Sequence, residues 1–273
     1  MESPLMARAL ALALMIASAA PALAQTESVA EITTRGQSLR FLLIKPEKAV
    51  GSVILLAGGH GILDLDAKGK IGWGAGNQLV RTRGQYARAG FVTATPDVAS
   101  DLKRGGGVPG LRWSSEHAAD IGNLVKHLRA LASPVYLIGT SRAALSVANA
   151  AARLSGDAAP DAIVITSGML VHINDKQPSA ERQVGRLERI RQPTLLLYHE
   201  KDACPYTPAS SAERFRKLLT GAKQVDIKLL RGGSASGEPC EARHYHGFEG
   251  IDGEVVRTVS GWLKSLPRAA NGK

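Results

Sequence analysis

Aromatic residues make up only 4% of the 273 positions, cysteine occurs twice, and no low-complexity tract or repeat interrupts the chain. The shortage of rings removes the stacking platforms that bind single-stranded nucleic acid, and two cysteines in a chain of this length do not make a disulfide-stapled miniprotein. Beyond the first 24 residues there is also no apolar run long enough to cross a bilayer. Lys and Arg outnumber Asp and Glu by 34 to 24. These cations are scattered, apart from short groups such as Arg81 with Arg83 and residues 186–191, so they read as a solvated basic surface with no nucleic-acid partner. What the chain does have is 44% hydrophobic residues, enough at this length to bury about three quarters of the unfolded surface in one core.

The N-terminus reads as an address. Arg8 precedes an apolar run over 10–20 broken only by Ser18, and Ala22-Leu23-Ala24 supplies the small-x-small pattern of a cleavage site. Met6 serves equally well as the start. The expectation is a signal peptide over 1–24, cleaved after Ala24, and a single domain over 25–273 that is periplasmic or secreted and has no transmembrane anchor. Export makes a disulfide between Cys204 and Cys240 permissible.

After a polar start, residues 39–44 read as a strand, and 52–57 form a continuous apolar run that ends in Gly58-Gly59-His60-Gly61. Runs of the same form at 91–95, 135–139, 162–166, 194–198 and 225–230 predict strands buried on both faces. Helical apolar spacing separates them over 78–89, 116–131, 141–154, 209–219 and 253–266. Such alternation predicts an α/β fold with a mostly parallel central sheet and helices on both faces. Between two strands, residues 168–192 have room for one short helix near 180–189, so no large cap domain is expected.

The most specific motif is Gly139-Thr140-Ser141-Arg142-Ala143, where a buried strand meets an apolar helix. A nucleophilic serine on a strained strand-to-helix turn needs small residues two positions away on each side, because strand and helix nearly touch there. Gly139 and Ala143 meet that need. A serine that merely caps a helix does not require them. The helix start also aims its positive end at the serine, where an oxyanion would gain most.

A serine nucleophile needs a base, and an acid to orient it. His199-Glu200-Lys201-Asp202 follows a strand directly, which makes Asp202 the first choice of acid and Glu200 the second. His244 and His246 share the loop 232–248 ahead of the last helix, and position does not separate them. His117 and His127 fall within a helix, and His172 in the insertion. His60 with His199, Asp64 or Asp66 matches no zinc spacing, so neither metal nor cofactor is expected. Asp97, at the end of a strand, suits an acid that fixes loops above the sheet. Trp73 and Trp113 read as core or pocket wall, and Trp262 as core.

The order Ser, Asp, His and these motifs resemble the α/β-hydrolase superfamily over essentially the whole mature chain, most nearly exported cap-less members that are loosely dienelactone-hydrolase-like. The resemblance implies that His246, followed by Gly247 and Phe248, is the base. It implies that the oxyanion hole combines the amide of Arg142 with that of Gly59 or His60. The acid and base loops then leave the same sheet edge, so a Cys204–Cys240 bond would tie them together. Ser141 departs from a dienelactone hydrolase, which typically has a cysteine nucleophile. The implied function is serine hydrolysis of an ester or similar acyl compound through an acyl-enzyme, with a small-molecule substrate. The rival is a non-catalytic exported binding or scaffold protein on the same fold.

Overall fold

The computed structural model describes residues 26–106 and 110–267. The signal segment expected over 1–24 lies outside them. The sheet has eight strands in the order β1-β2-β4-β3-β5-β6-β7-β8. They are β1 (Glu27–Thr34), β2 (Gln37–Ile44), β3 (Gly51–Leu56), β4 (Phe91–Pro96), β5 (Val135–Thr140), β6 (Ala162–Thr166), β7 (Thr194–His199) and β8 (Val225–Leu230). From β4 to β8 every pairing is parallel, whereas β1–β2 and β2–β4 are antiparallel.

Apolar runs in the centre follow from double coverage. Every residue of β3, β4, β5, β6 and β7 is buried. One face packs on helices α2 (Ser115–Leu131), α3 (Ala143–Arg153) and α5 (Ser211–Leu218), through Ile121, Val147 and Phe215 among others. The opposite face packs on α1 (Gln78–Arg88) and α6 (Asp252–Ser265), through Leu79, Tyr86, Val259 and Leu263. This is an α/β fold with a mostly parallel sheet covered on both sides.

At the sheet edges two features differ from the sequence reading. The polar start contains β1, which pairs with β2 across the two-residue turn Arg35-Gly36, with φ of 52° and 75°. Two left-handed residues form the tight turn whose twist suits a hairpin, and a half-exposed edge strand needs no apolar run. At the other edge β8 is not buried on both faces, and Leu229 on this outermost strand is 55% exposed.

The insertion between β6 and β7 contains α4 (Ala180–Gln183) and a separate 3₁₀ turn, Leu187–Arg189, instead of one helix over 180–189. Gly185 and Arg186 take φ of 58° and 55°, which ends the first helix and starts the second turn. Among the described residues no large cap covers the sheet. Asp97, just past β4, accepts from the amides of Leu63, Leu65 and Val98 and pairs with Lys103 at 2.6 Å, which anchors the long loop between β3 and α1.

Candidate active site

Ser141 lies between β5 and α3 with φ of +55°. Its main chain is held from three sides: N donates to Thr166 O at 2.9 Å, and O accepts from Ala144 N and Met169 N at 3.1 Å each. A Cβ on Gly139 would come within 2.6 Å of Val147 Cγ2 and 2.9 Å of Ala143 O. Strand and helix therefore do approach too closely for a larger residue there. Gly58 is less tightly held, since a Cβ there would lie 3.2 Å from both Ser141 Cβ and Thr140 O. At Gly59, with φ of +55°, a Cβ would overlap the Trp73 ring at 2.5 Å.

Across the cleft, His246 Nδ1 is 3.0 Å from Asp202 Oδ2, and both side chains are buried. Thr207 Oγ1 touches both, at 3.0 Å from Nδ1 and 3.1 Å from Oδ2. The second carboxylate oxygen accepts from Cys204 N at 3.0 Å. With Nδ1 donating to the carboxylate, Nε2 is the basic nitrogen, and it has no protein partner among the described residues. Ser141 and His246 line one cleft of about 410 Å³, together with Trp73, Asn77, Met169 and Tyr206. Cys204 and Cys240, on the walls of that cleft, are joined as a disulfide.

The alternatives lie elsewhere. Glu200 pairs with Arg231 at 2.7 Å. His244 packs edge-on against Tyr245 and is not part of the cleft wall. His199 stacks on Tyr245 and reaches Gly232 O at 2.8 Å. His60 accepts from Ile62 N and packs against Trp73, with ring centroids 3.8 Å apart and planes inclined by 38°. Desolvation, reinforced by the charges of Arg112 and Arg142, holds its pKa below the usual histidine value. Among the described residues no three His, Cys, Asp or Glu side chains gather where a metal could sit. The Trp262 ring is buried and donates to Asp226 at 2.6 Å, and Trp113 packs against the core.

The main-chain N–H groups of Gly59, His60 and Arg142 donate to no protein group among the described residues. The Arg142 guanidinium leans along the cleft wall, where it bonds Gln177, and its Nε is buried without a partner.

Three supporting residues escaped the sequence reading. Thr207 is one. Arg81, read there as solvated surface, donates to the carbonyls of Gly76, Ala242 and Gly247 and pairs with Asp252, so it clasps the loop that carries His246. Arg112 is 5% exposed and donates to the carbonyls of Ala57, Gly58 and Gly59 and to Ser146 Oγ. Burial first, and the like charge of Arg142 second, push its pKa down to about 9. Nothing local marks these residues, because each reaches at least one partner far away in the sequence: His246 for Thr207, Gly247 for Arg81 and Gly58 for Arg112.

No known family profile matches the sequence, and no curated protein matches it. Solved structures do. A dienelactone hydrolase from Anabaena variabilis superimposes with a TM-score of 0.60 at 16% identity, covering 89% of this chain and 99% of that one. A monoglyceride lipase from Saccharomyces cerevisiae gives 0.62 at 10% identity, covering 91% and 97%. A cold-adapted esterase from an Arctic intertidal metagenomic library gives 0.58 at 14% identity, covering 88% and 94%. These similarities show a shared fold.

Proposed function

We propose that this chain, which has the α/β-hydrolase fold, is an exported serine hydrolase acting on an ester or similarly activated acyl compound. One observation carries the reading: a serine held at positive φ on a glycine-lined turn shares a cleft with a histidine whose Nδ1 is bound to a buried aspartate.

In this reading Ser141 Oγ attacks the acyl carbon while His246 Nε2 takes its proton. Asp202 and Thr207 hold the imidazole with Nδ1 protonated, and the aspartate stabilises the imidazolium that forms. The carbonyl oxygen becomes an oxyanion, facing the amide of Arg142 and that of Gly59 or His60. One such donor contributes about 3 to 4 kcal/mol in measured cases. The tetrahedral intermediate collapses when His246 returns the proton to the leaving group, and water repeats the sequence on the acyl-enzyme.

The disulfide suits an oxidising compartment, in keeping with a signal peptide over 1–24 and a single exported domain over 25–273. Among the described residues no helix is long and apolar enough to cross a membrane. A fluorophosphonate probe on the mature protein, mapped by peptide mass, together with p-nitrophenyl esters of graded acyl length, tests the reading. The expected result is one label per chain on Ser141, with turnover. No label and no turnover would favour the non-catalytic binding protein.

A further inference from the structure

Arg112 lies on the 3₁₀ turn Leu111–Trp113 that leads into α2. A buried guanidinium ordinarily has a carboxylate beside it, because an unpaired charge is costly to remove from water. Here, among the described residues, its hydrogen-bond partners are three consecutive carbonyls and one hydroxyl. Nη2 donates to Ala57 O at 2.7 Å, Gly58 O at 2.9 Å and Gly59 O at 3.0 Å, and Nη1 donates to Ser146 Oγ at 3.0 Å. Space is reserved for it as well: at Gly61, where φ is +84°, a Cβ would fall 2.5 Å from Nη2.

The direction of those bonds matters. In a trans peptide the C=O of one residue and the N–H of the next point opposite ways. Holding the carbonyls of Gly58 and Gly59 on one side therefore turns the amides of Gly59 and His60 to the other. Gly58 and Gly59 line the cleft and Arg112 does not, so the guanidinium sits behind the turn and the amides in front. Those two amides are the oxyanion donors considered above.

The same side chain reaches the element that carries the nucleophile. Ser146 lies on α3, five residues beyond Ser141, and is wholly buried. Its hydroxyl accepts from Arg112 and lies 3.0 Å from Nε2 of the buried His117 on α2. A neutral His117 receives that hydroxyl proton, so the chain of bonds runs Arg112 to Ser146 to His117 with each donor matched to an acceptor.

We propose that Arg112 is a positioning residue of the oxyanion hole: its guanidinium grips the back of the 57–59 turn, aims the Gly59 and His60 amides at the tetrahedral oxygen, and ties that turn to α3. It also sets a positive charge, without a carboxylate partner among the described residues, behind the point where negative charge develops. The proposal rests on the serine-hydrolase reading and goes beyond the donors themselves to the group that orients them. Donors fixed in advance need no reorganisation as charge develops, so losing Arg112 should affect the transition state more than substrate binding.

The test compares Arg112→Lys and Ser146→Ala with the wild type, counting rates per fluorophosphonate-titrated site so that misfolded protein drops out. Lysine keeps the charge but lacks the planar fork that spans three carbonyls and a hydroxyl. Arg112→Lys should lower kcat about 100-fold with KM within about threefold, the size seen when an oxyanion donor is lost. Ser146→Ala leaves the carbonyl contacts intact and should lower kcat about three- to tenfold by releasing the lateral tether. A trifluoromethyl ketone, which forms a tetrahedral oxyanion on the serine, should lose affinity in both variants by the same factor as kcat/KM. A non-reactive ground-state analogue should bind as before. If Arg112→Lys does not fold, Ser146→Ala decides alone.

Wild-type kcat and ketone affinity per titrated site, or a change confined to KM, overturns the role of Arg112 and leaves the hydrolase reading standing. A wild-type protein that neither labels at Ser141 nor turns over any ester overturns that reading, and this inference with it.

Discussion

Replacing Ser141 by alanine and by glycine separates the strain of the turn from its chemistry. Both variants lack the hydroxyl, so both should lose turnover by at least about 1,000-fold. Their stabilities should differ. At φ of +55° a residue with a Cβ carries about 1 to 2 kcal/mol of left-handed strain, and alanine keeps all of it. Glycine releases that strain but gives the unfolded chain more freedom, which costs roughly 0.5 to 1 kcal/mol. The difference is about 1 kcal/mol in favour of Ser141→Gly, or about 2 to 4 °C in Tm for a domain of this size. Scanning calorimetry of the two proteins, paired with p-nitrophenyl ester turnover, reads both quantities. If the glycine variant melts below the alanine variant, the turn does not store strain at this residue. If Ser141→Ala keeps half its activity, the nucleophile is another residue.

Gly139→Ala should cost about 1 to 3 kcal/mol, because the new methyl meets Val147 Cγ2 at 2.6 Å and Ala143 O at 2.9 Å, and turnover should fall as β5 and α3 are pushed apart; an unchanged Tm would remove the close-packing argument. Native protein should show no titratable thiol. Cys204→Ser removes a cross-link over a sequence separation of 36, about 4 kcal/mol in the chain-entropy model, and should lower turnover of the still-folded protein, since Cys204 N holds Asp202 Oδ1; full activity without the bond would detach it from catalysis. Burial, with Arg112 second, pushes the His117 pKa down to about 3, so between there and the ordinary value near 6.5 the unfolded chain binds the extra proton. Stability should therefore fall as pH drops from about 6.5, with a slope of up to about 1.4 kcal/mol per unit from this group. Urea unfolding of His117→Gln should show a shallower slope than wild type between pH 6.5 and 4.5, and equal slopes would contradict the assignment.

The central strands were legible because a strand buried on both faces must be apolar at consecutive positions, as Val53 to Leu56 and Leu195 to Tyr198 are. The edges were not. Residues 26–34 alternate weakly and are half exposed, and Leu229 belongs to a run that reads as interior until the sheet is seen to end there. Around the candidate site, Ser141 could be singled out because its turn imposes a local size rule on Gly139 and Ala143. Asp202 could be singled out because its loop directly follows a strand, while only the resemblance, through the Gly247-Phe248 that follows, set His246 above His244. Thr207, Arg81 and Arg112 obey no local rule. Each is defined by where a distant main chain or side chain comes to rest, and a polar residue between elements looks the same whether it faces solvent or holds a loop.

β3 and β5 are adjacent and paired in parallel register, with Leu56 opposite Gly139. The glycine turn and the Ser141 turn therefore leave the sheet side by side, one hydrogen-bond repeat apart. Their separation is a property of the sheet lattice, set by the spacing of about 4.8 Å that any paired strands share. Residues 73–78 of the cleft continue the loop that leaves β3, whereas the stretches with Gln177, Tyr206 and Ala242 hang from the ends of β6, β7 and β8. Insertions or substitutions there can remodel what the cleft admits without altering the span between the two turns. The stretch most open to change thus hangs from a strand outside the β3–β5 pair that sets the span between the two turns, and it touches the Ser141 turn through Met169 N on Ser141 O and Gln177 on Arg142.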